Sequence, residues 1–170
     1  TTIASNGSTG LVLSSALSLS KGKAEGPVLS RAEGLTAGRD SGQGVFADEY
    51  TTLAFTNTII AGHHSVGIMI TTGSTATLEA TLWYNNGSDT GGGGTIATGT
   101  VNVTDDPAFV NPSVWDYHLT AGSAAIDAGV DAGVTTDIDG DTRPWGQGYD
   151  IGADELRQRY IYLPLVLRRW

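Results

Sequence analysis

Apolar positions along this chain fall in short alternating runs separated by glycine, asparagine or serine, the period-two pattern of strands with one face against a core. The runs Leu11 to Leu19, Val28 to Leu35, Thr52 to Ile60, Gly67 to Ile70, Ala76 to Tyr84 and Thr95 to Val103 are rich in β-branched residues and predict strands. Lys21 to Pro27 and Gly38 to Gly44 predict loops, and Gly91 to Gly94 predicts flexible punctuation. That glycine run leads into another strand-like segment, without the helix and lysine of a phosphate-cradling loop. One internal similarity stands out: Thr58-Ile59-Ile60 lies over Thr81-Leu82-Trp83, and Phe55 over Leu78, each 23 residues on.

A recurrence of that length predicts one coil of a solenoid, in which each coil buries its inward side chains by stacking on the next. Alternation then selects Leu53, Phe55, Ile59, Ile68, Ile70, Leu78, Leu82, Ile96, Val101 and Val103 as the core. A β-sandwich of about seven strands uses the same alternation and stays open as the alternative.

Composition supports all-β and narrows the rest. Twenty-four glycines in 170 residues, with one methionine, suit short strands and tight turns. The chain has no cysteine, so neither disulfides nor thiolate metal sites hold the fold. No stretch approaches the length of a membrane-spanning helix, and Thr1 to Gly10 lacks the basic and apolar regions of a signal peptide, as expected of a processed chain or a fragment. The formal charge of −9 is unevenly spread: Arg143 is the only Lys or Arg between Asp40 and Glu155, while Arg157, Arg159, Arg168 and Arg169 crowd the end. An acidic body argues against nucleic acid as a partner, because phosphate binding needs a basic surface.

The segment from Asp105 to Glu155 carries a resemblance. The runs Asp106-Pro107-Ala108-Phe109-Val110-Asn111-Pro112, Asp116-Tyr117-His118-Leu119 and Gly122-Ser123-Ala124-Ala125-Ile126-Asp127-Ala128-Gly129 come first. Thr136 to Pro144 and Tyr149 to Glu155 follow in order, and Phe55 to Gly62 is similar to a strand-and-turn unit upstream. Together these residues, about 50 to 155, resemble the closing segment of bacterial right-handed parallel β-helix repeat proteins of the cell surface. The resemblance implies a short right-handed parallel β-helix over residues 1–155, with 1–50 less regular and 105–155 as the closing segment. It also implies secretion or display at the cell surface. A basic apolar tail, 156–170, resembles a C-terminal ending of exported bacterial proteins, and its Tyr160, Tyr162, Leu165, Leu167 and Trp170 are the residues expected to dock on this chain or a neighbour. Since few coils precede the closing segment, the first coil is expected to be uncapped and to seek another chain as cover.

Three groups of residues invite chemistry. Asp137, Asp139 and Asp141, with Gly140 between, offer carboxylate oxygens to a Ca2+ ion, joined by Asp150, Asp154 and Glu155. The competing reading has these aspartates capping turns, with Asp139 or Asp141 paired to Arg143. His63-His64 reads as an exposed turn, and His118 as a partly buried strand residue. Trp83 and Trp115, with Tyr84, Tyr117 and Trp145, present flat faces suited to stacking on sugar rings or to packing. A glycosidase needs two carboxylates facing across a cleft and a lyase needs a basic residue; acids are plentiful, but Arg143, the one strong base of the body, lies in the closing segment and not on a coil face, and no Ser-His-Asp motif appears. The expectation is therefore a non-enzymatic extracellular structural or adhesive protein, partnered with copies of itself in a filament or with other envelope proteins. The alternative is a carbohydrate-binding or polysaccharide-active module.

Overall fold

The computed structural model describes residues 2–4, 11–21, 36–37, 43–48 and 50–157, the first three ranges as backbone only. Strands β1 (Thr2–Ala4), β2 (Leu11–Lys21) and β3 (Thr36–Ala37) lead into a region where the chain crosses repeatedly between two sheets. There β4 (Val45–Ala47), β6 (Val66–Ile70) and β8 (Ser88–Gly91) lie in one sheet. The other holds β5 (Thr51–Ala61), β7 (Thr75–Tyr84), β9 (Thr95–Thr98) and β10 (Asn102–Thr104). Each return to a sheet is parallel to the strand before it and arrives 20 to 23 residues later. The fold is all-β, neither of these two sheets is closed on itself, and parallel pairing sets it apart from the antiparallel sandwich.

Register places like on like. Leu53 pairs with Ala76 and Ala76 with Ile96, while Phe55 pairs with Leu78 and Ile60 with Trp83. Across the interior, Val45 and Ala47 of β4 lie in register with Ile68 and Ile70 of β6. All of these except the partly buried Ile96 are buried in one cluster between the sheets.

The period-two pattern does not run through β5 and β7 unbroken. Asn57 and Ala80 both sit in the left-handed region, at φ 48° and 52°, and both are skipped by the pairing between Thr56–Glu79 and Thr58–Thr81. An αL residue inserted in a strand bends it and reverses which face the following side chains take. Leu53 and Phe55 point inward before the bend and Ile60 after it, while Ile59 and Leu82 turn to the opposite face. The single core expected from alternation is thus two clusters, one on each side of this sheet. The expected strand from Thr95 to Val103 is likewise two, β9 and β10, divided beside the same bend, where Gly99 N–H donates to the Leu78 carbonyl and Glu79 holds Thr100.

The closing segment covers the second cluster. It contains β11 (Phe109–Asn111), a single 3-10 turn (Pro112–Val114) and β12 (Asp116–Leu119), then runs irregularly to Arg157. Leu119, Ala125 and Ile151 bury themselves against Ile59, Ala61, Ala80 and Leu82. Burying Leu119 and Ile151 stabilises by about 1.5–3 kcal/mol each, more than the roughly 1 kcal/mol net of one hydrogen bond, so apolar contact drives the docking. Hydrogen bonds fix its position. Asn57, 1% exposed, donates from Nδ2 to the Val130 carbonyl at 2.7 Å and accepts from Val130 N–H at 2.8 Å. Its own carbonyl accepts from Gly152 N–H at 3.0 Å. Gly152 has φ 110° and lies so close to Ile59 that a Cβ there would stand 2.9 Å from Cδ1, which is why this contact needs glycine.

The upstream edges differ from expectation. β2 pairs antiparallel with β5 from Thr51 to Ala61, β1 pairs with β2, and β3 pairs with β4. The first coil is therefore covered by strands of the same chain, and the correction follows from Leu11–Lys21 being long enough to span β5. The expected strand Val28 to Leu35 and the tail residues Tyr160, Tyr162, Leu165, Leu167 and Trp170 lie outside the described residues.

Asn57→Ala should lower the unfolding free energy by about 2–4 kcal/mol, because it leaves both polar groups of Val130 unanswered and puts a Cβ without a polar group in the αL region. Asn57→Gly regains the backbone freedom and should lose about 1 kcal/mol less. Urea denaturation of both variants measures the difference, and equal losses would mean that the bend itself contributes nothing.

Candidate functional site

The closing segment has few ladder bonds, and its carboxylates take their place as acceptors for backbone N–H groups. Asp150 accepts from Asp127 N–H and Leu156 N–H, both at 2.8 Å. Glu155 accepts from Trp145 N–H at 2.6 Å and Asp150 N–H at 3.1 Å. Asp127 holds Gln147 and Gly148 N–H at 2.8 Å. Arg143, 4% exposed, donates to the carbonyls of Gly152 and Asp150. Its Nε lies 2.9 Å from Glu155 Oε2, near enough for charge pairing though not aligned as a hydrogen bond.

The three aspartates expected to offer oxygens to calcium hold main-chain and side-chain groups of the closing segment. One oxygen of Asp137 accepts from Asp139 and Asp141 N–H at 3.0 and 2.8 Å, and the other accepts from Glu155 N–H at 3.3 Å. Asp141 pairs with Arg157 at 2.7 Å, not with Arg143, and Asp139 turns to His118. Among the described residues Asp137, Asp139 and Asp141 do not gather as a ligand set. The turn-capping reading fits the geometry, with Glu155 rather than Asp139 or Asp141 as the partner of Arg143.

A different group does gather. His118 on β12 holds Asp116 Oδ1 through Nδ1 at 2.6 Å and Asp139 Oδ2 through Nε2 at 3.1 Å. Asp154 approaches from the end of the segment, so that one ligand atom each from His118, Asp139 and Asp154 lie within 4.8 Å of one another. Its Oδ2 accepts from Leu119 N–H at 2.6 Å. The hydrogen bond to Asp116 raises the His118 pKa above its ordinary value, and the same bond lowers that of Asp116. Burial raises the Asp154 pKa.

A cleft of about 330 Å³ opens where the ends of β5 and β7 meet the hairpin of β11 and β12, between Tyr84, Phe109, Pro112 and Tyr117, with Asn85 and Asp106 at its polar side. Tyr84 donates its hydroxyl to Asp106 Oδ2 at 3.2 Å, and the charge of that carboxylate raises the phenol pKa. Tyr117 sits edge-on to both Phe109 and Trp115, and Trp115 is 64% exposed. Trp83 is a correction: it is 3% exposed within the inner cluster, with Nε1 donating to Asn102 Oδ1 at 2.7 Å, so neither ring face is open to a sugar. Trp145 is exposed and carries the Arg157 guanidinium 4.6 Å above its ring. His63 is also corrected, being 1% exposed and packed beneath Gly44, whereas His64 is exposed.

Sequence reasoning missed Asn57, the Arg143–Glu155 pair and the Tyr84–Asp106 contact. The signal for Asn57 was present: an asparagine at the midpoint of an apolar run fits an αL position that most side chains avoid. Nothing local signals the other two, which join residues brought together by docking.

Asp150 is 1% exposed, and burial outweighs its two backbone hydrogen bonds to push its pKa up to about 6. A folded-state pKa above the unfolded value means that the folded protein binds this proton more tightly. The stabilisation it contributes is full below the unfolded pKa of 3.8 and is lost as pH rises through about 6. At about 1.36 kcal/mol per unit this component amounts to about 3 kcal/mol. A carboxyl-carbon NMR titration should place its midpoint near 6, and Asp150→Asn should flatten the fall in stability between pH 4 and 7; a midpoint near the ordinary aspartate value would refute the assignment.

Comparison with family models, with curated proteins and with solved structures returned no match to this chain.

Proposed function

We propose that this chain is a non-enzymatic extracellular adhesive module, built as the closing end of a right-handed parallel β-helix, and that the cleft beside Tyr117 contacts carbohydrate. The parallel returns at 20 to 23 residues support the β-helix, together with the alternation of successive strands between two sheets. Right-handed crossover is the strong preference for parallel strands joined within a sheet. The resemblance of residues 50 to 155 to bacterial surface proteins supports the extracellular setting. No helix among the described residues is long and apolar enough to cross a membrane.

The observation that carries the functional reading is the cleft. Its walls are aromatic and proline faces, its polar side is an amide and a carboxylate, and an exposed tryptophan stands next to it. Sugar rings pair apolar C–H faces with equatorial hydroxyls, so stacking surfaces with adjacent hydrogen-bonding groups suit them. The surrounding scaffold is preformed, which reduces the ordering cost of binding.

A second reading is self-association through strand edges. Among the described residues, β8 and β9 pair on their upstream side alone, leaving donors and acceptors of Ser88–Gly91 and Thr95–Thr98 on the other. Both strands are short and contain no aromatic residue, which weakens them as a template for stable assembly.

Affinity electrophoresis in gels containing neutral or acidic polysaccharides should retard the intact chain, and Trp115→Ala should reduce that retardation at least fivefold without unfolding the protein. Unretarded migration in every polysaccharide would overturn the carbohydrate reading. Large particles in light scattering and electron microscopy would then favour assembly through β8 and β9.

A further inference from the structure

We propose that His118, Asp139 and Asp154 form a binding site for a divalent transition-metal ion of the Zn2+ type, with Asp116 as the residue that orients the histidine. The three come from separate stretches: β12, the turn after Asp137, and the final run of the closing segment. Their ligand atoms already lie within 4.8 Å of one another. In a zinc tetrahedron with bonds of about 2.0–2.1 Å, ligand atoms stand about 3.4 Å apart, so the widest pair of the trio needs to draw in by up to about 1.4 Å. The closest pair, His118 Nε2 and Asp139 Oδ2 at 3.1 Å, is already near the edge of a zinc tetrahedron.

Two features beyond proximity point to a cation. The first is the hold on the imidazole. His118 Nδ1 is tied to Asp116 Oδ1 at 2.6 Å, so that when a cation displaces the proton between Nε2 and Asp139 the remaining proton stays on Nδ1. A carboxylate behind a ligating histidine is the usual outer partner in such sites, where it fixes the tautomer and raises ligand basicity. The second is Asp154, a carboxylate only 6% exposed whose single hydrogen bond comes from Leu119 N–H. Its carboxylate is the third member of the group gathered with His118 and Asp139, held in place by that bond to the main chain of β12.

The ligand set selects the ion. One imidazole with two carboxylates suits Zn2+ and its first-row neighbours, whereas Ca2+ takes six to eight oxygens. Three protein ligands leave a fourth position to water. Asp139 N–H is pinned to Asp137 Oδ1 at 3.0 Å, so the turn is set with its exposed carboxylate already against His118 Nε2. Tyr117, the neighbour of His118, lines the cleft, and alternate side chains of a strand take opposite faces. The metal site therefore stands apart from the cleft and does not rest on the carbohydrate reading. Occupied, it would cross-link β12, the Asp137–Asp141 turn and the end of the closing segment.

The test is calorimetric titration of the untagged full chain with ZnCl2 and, separately, CaCl2, supported by Co2+ absorption in the visible and by the imidazole 15N shifts of His118. One Zn2+ per chain should bind, with the large 15N shift at Nε2, not Nδ1, and thermal unfolding should move upward. His118→Gln and Asp139→Asn, whose side chains are substantially exposed, should fold normally by circular dichroism and bind at least tenfold more weakly. Asp116→Asn should keep the ion but weaken it about tenfold, in line with the loss of an outer-shell partner. His64→Gln should bind like the unaltered chain. Absence of saturable binding, binding unchanged in His118→Gln, or Ca2+ binding as tightly as Zn2+ would overturn the site, the first of these leaving His118 as an imidazolium clamped between Asp116 and Asp139.

Discussion

The left-handed residues Asn57 and Ala80 constrain everything that is built on the second sheet. Stacked parallel strands can bend only if they bend at the same register, and these two residues occupy equivalent places 23 apart in β5 and β7. The bend reverses the facing of the side chains that follow it. Without it, Ile59 and Leu82 would join Phe55 and Leu78 in the interior, and Ile60 and Trp83 would project outward. With it, the sheet is apolar on both faces beyond the bend, and an apolar outer face must be covered. The closing segment is that cover, and the amide of Asn57 joins the cause of the bend to the segment the bend requires.

The acidity of the chain follows from the way that cover is made. A segment without regular ladders must still satisfy its backbone N–H groups, and short carboxylate side chains do so from any direction. Asp127, Asp137, Asp150, Asp154 and Glu155 each accept from main-chain donors, and Arg143 balances part of the charge from a buried position. Burial raises the pKa of Asp150 and Asp154, with a smaller contribution from neighbouring carboxylates, so desolvation of the carboxylates is the cost of this solution. Asp154 and Asp127 each take these bonds on one oxygen, and Asp154 is the one that stands beside His118.

Much of the fold was legible because the apolar runs of β5, β6 and β7 are long and their recurrence is regular. Leu53, Phe55, Ile68, Ile70 and Leu78 fell where alternation put them. The misses have definite causes. β4 has only three residues, and β8 reads Ser-Asp-Thr-Gly, so neither carries the apolar alternation that marks a strand; they exist because β6 offers them backbone partners. Trp83 was open to two readings because a tryptophan three places past an αL residue changes face, and no local pattern marks Ala80 as one. Asp137, Asp139 and Asp141 suggested a cation by their spacing, but spacing along a chain does not show which oxygens already hold N–H groups. His118 lies 21 and 36 residues from Asp139 and Asp154, a distance at which sequence gives no cue.

The dependence of the closing segment on the bend at Asn57 makes the stack and its cover one cooperative unit. Native-state hydrogen exchange tests this most directly, followed at the amides of Val130 and Gly152 in the cover and of Ile60 and Leu82 in the strands. The four should exchange only through global unfolding, with the same free energy and the same dependence on denaturant. Exchange of Val130 and Gly152 at a much lower free energy, while Ile60 and Leu82 stay protected, would show the cover opening on its own and would contradict the unity of the fold.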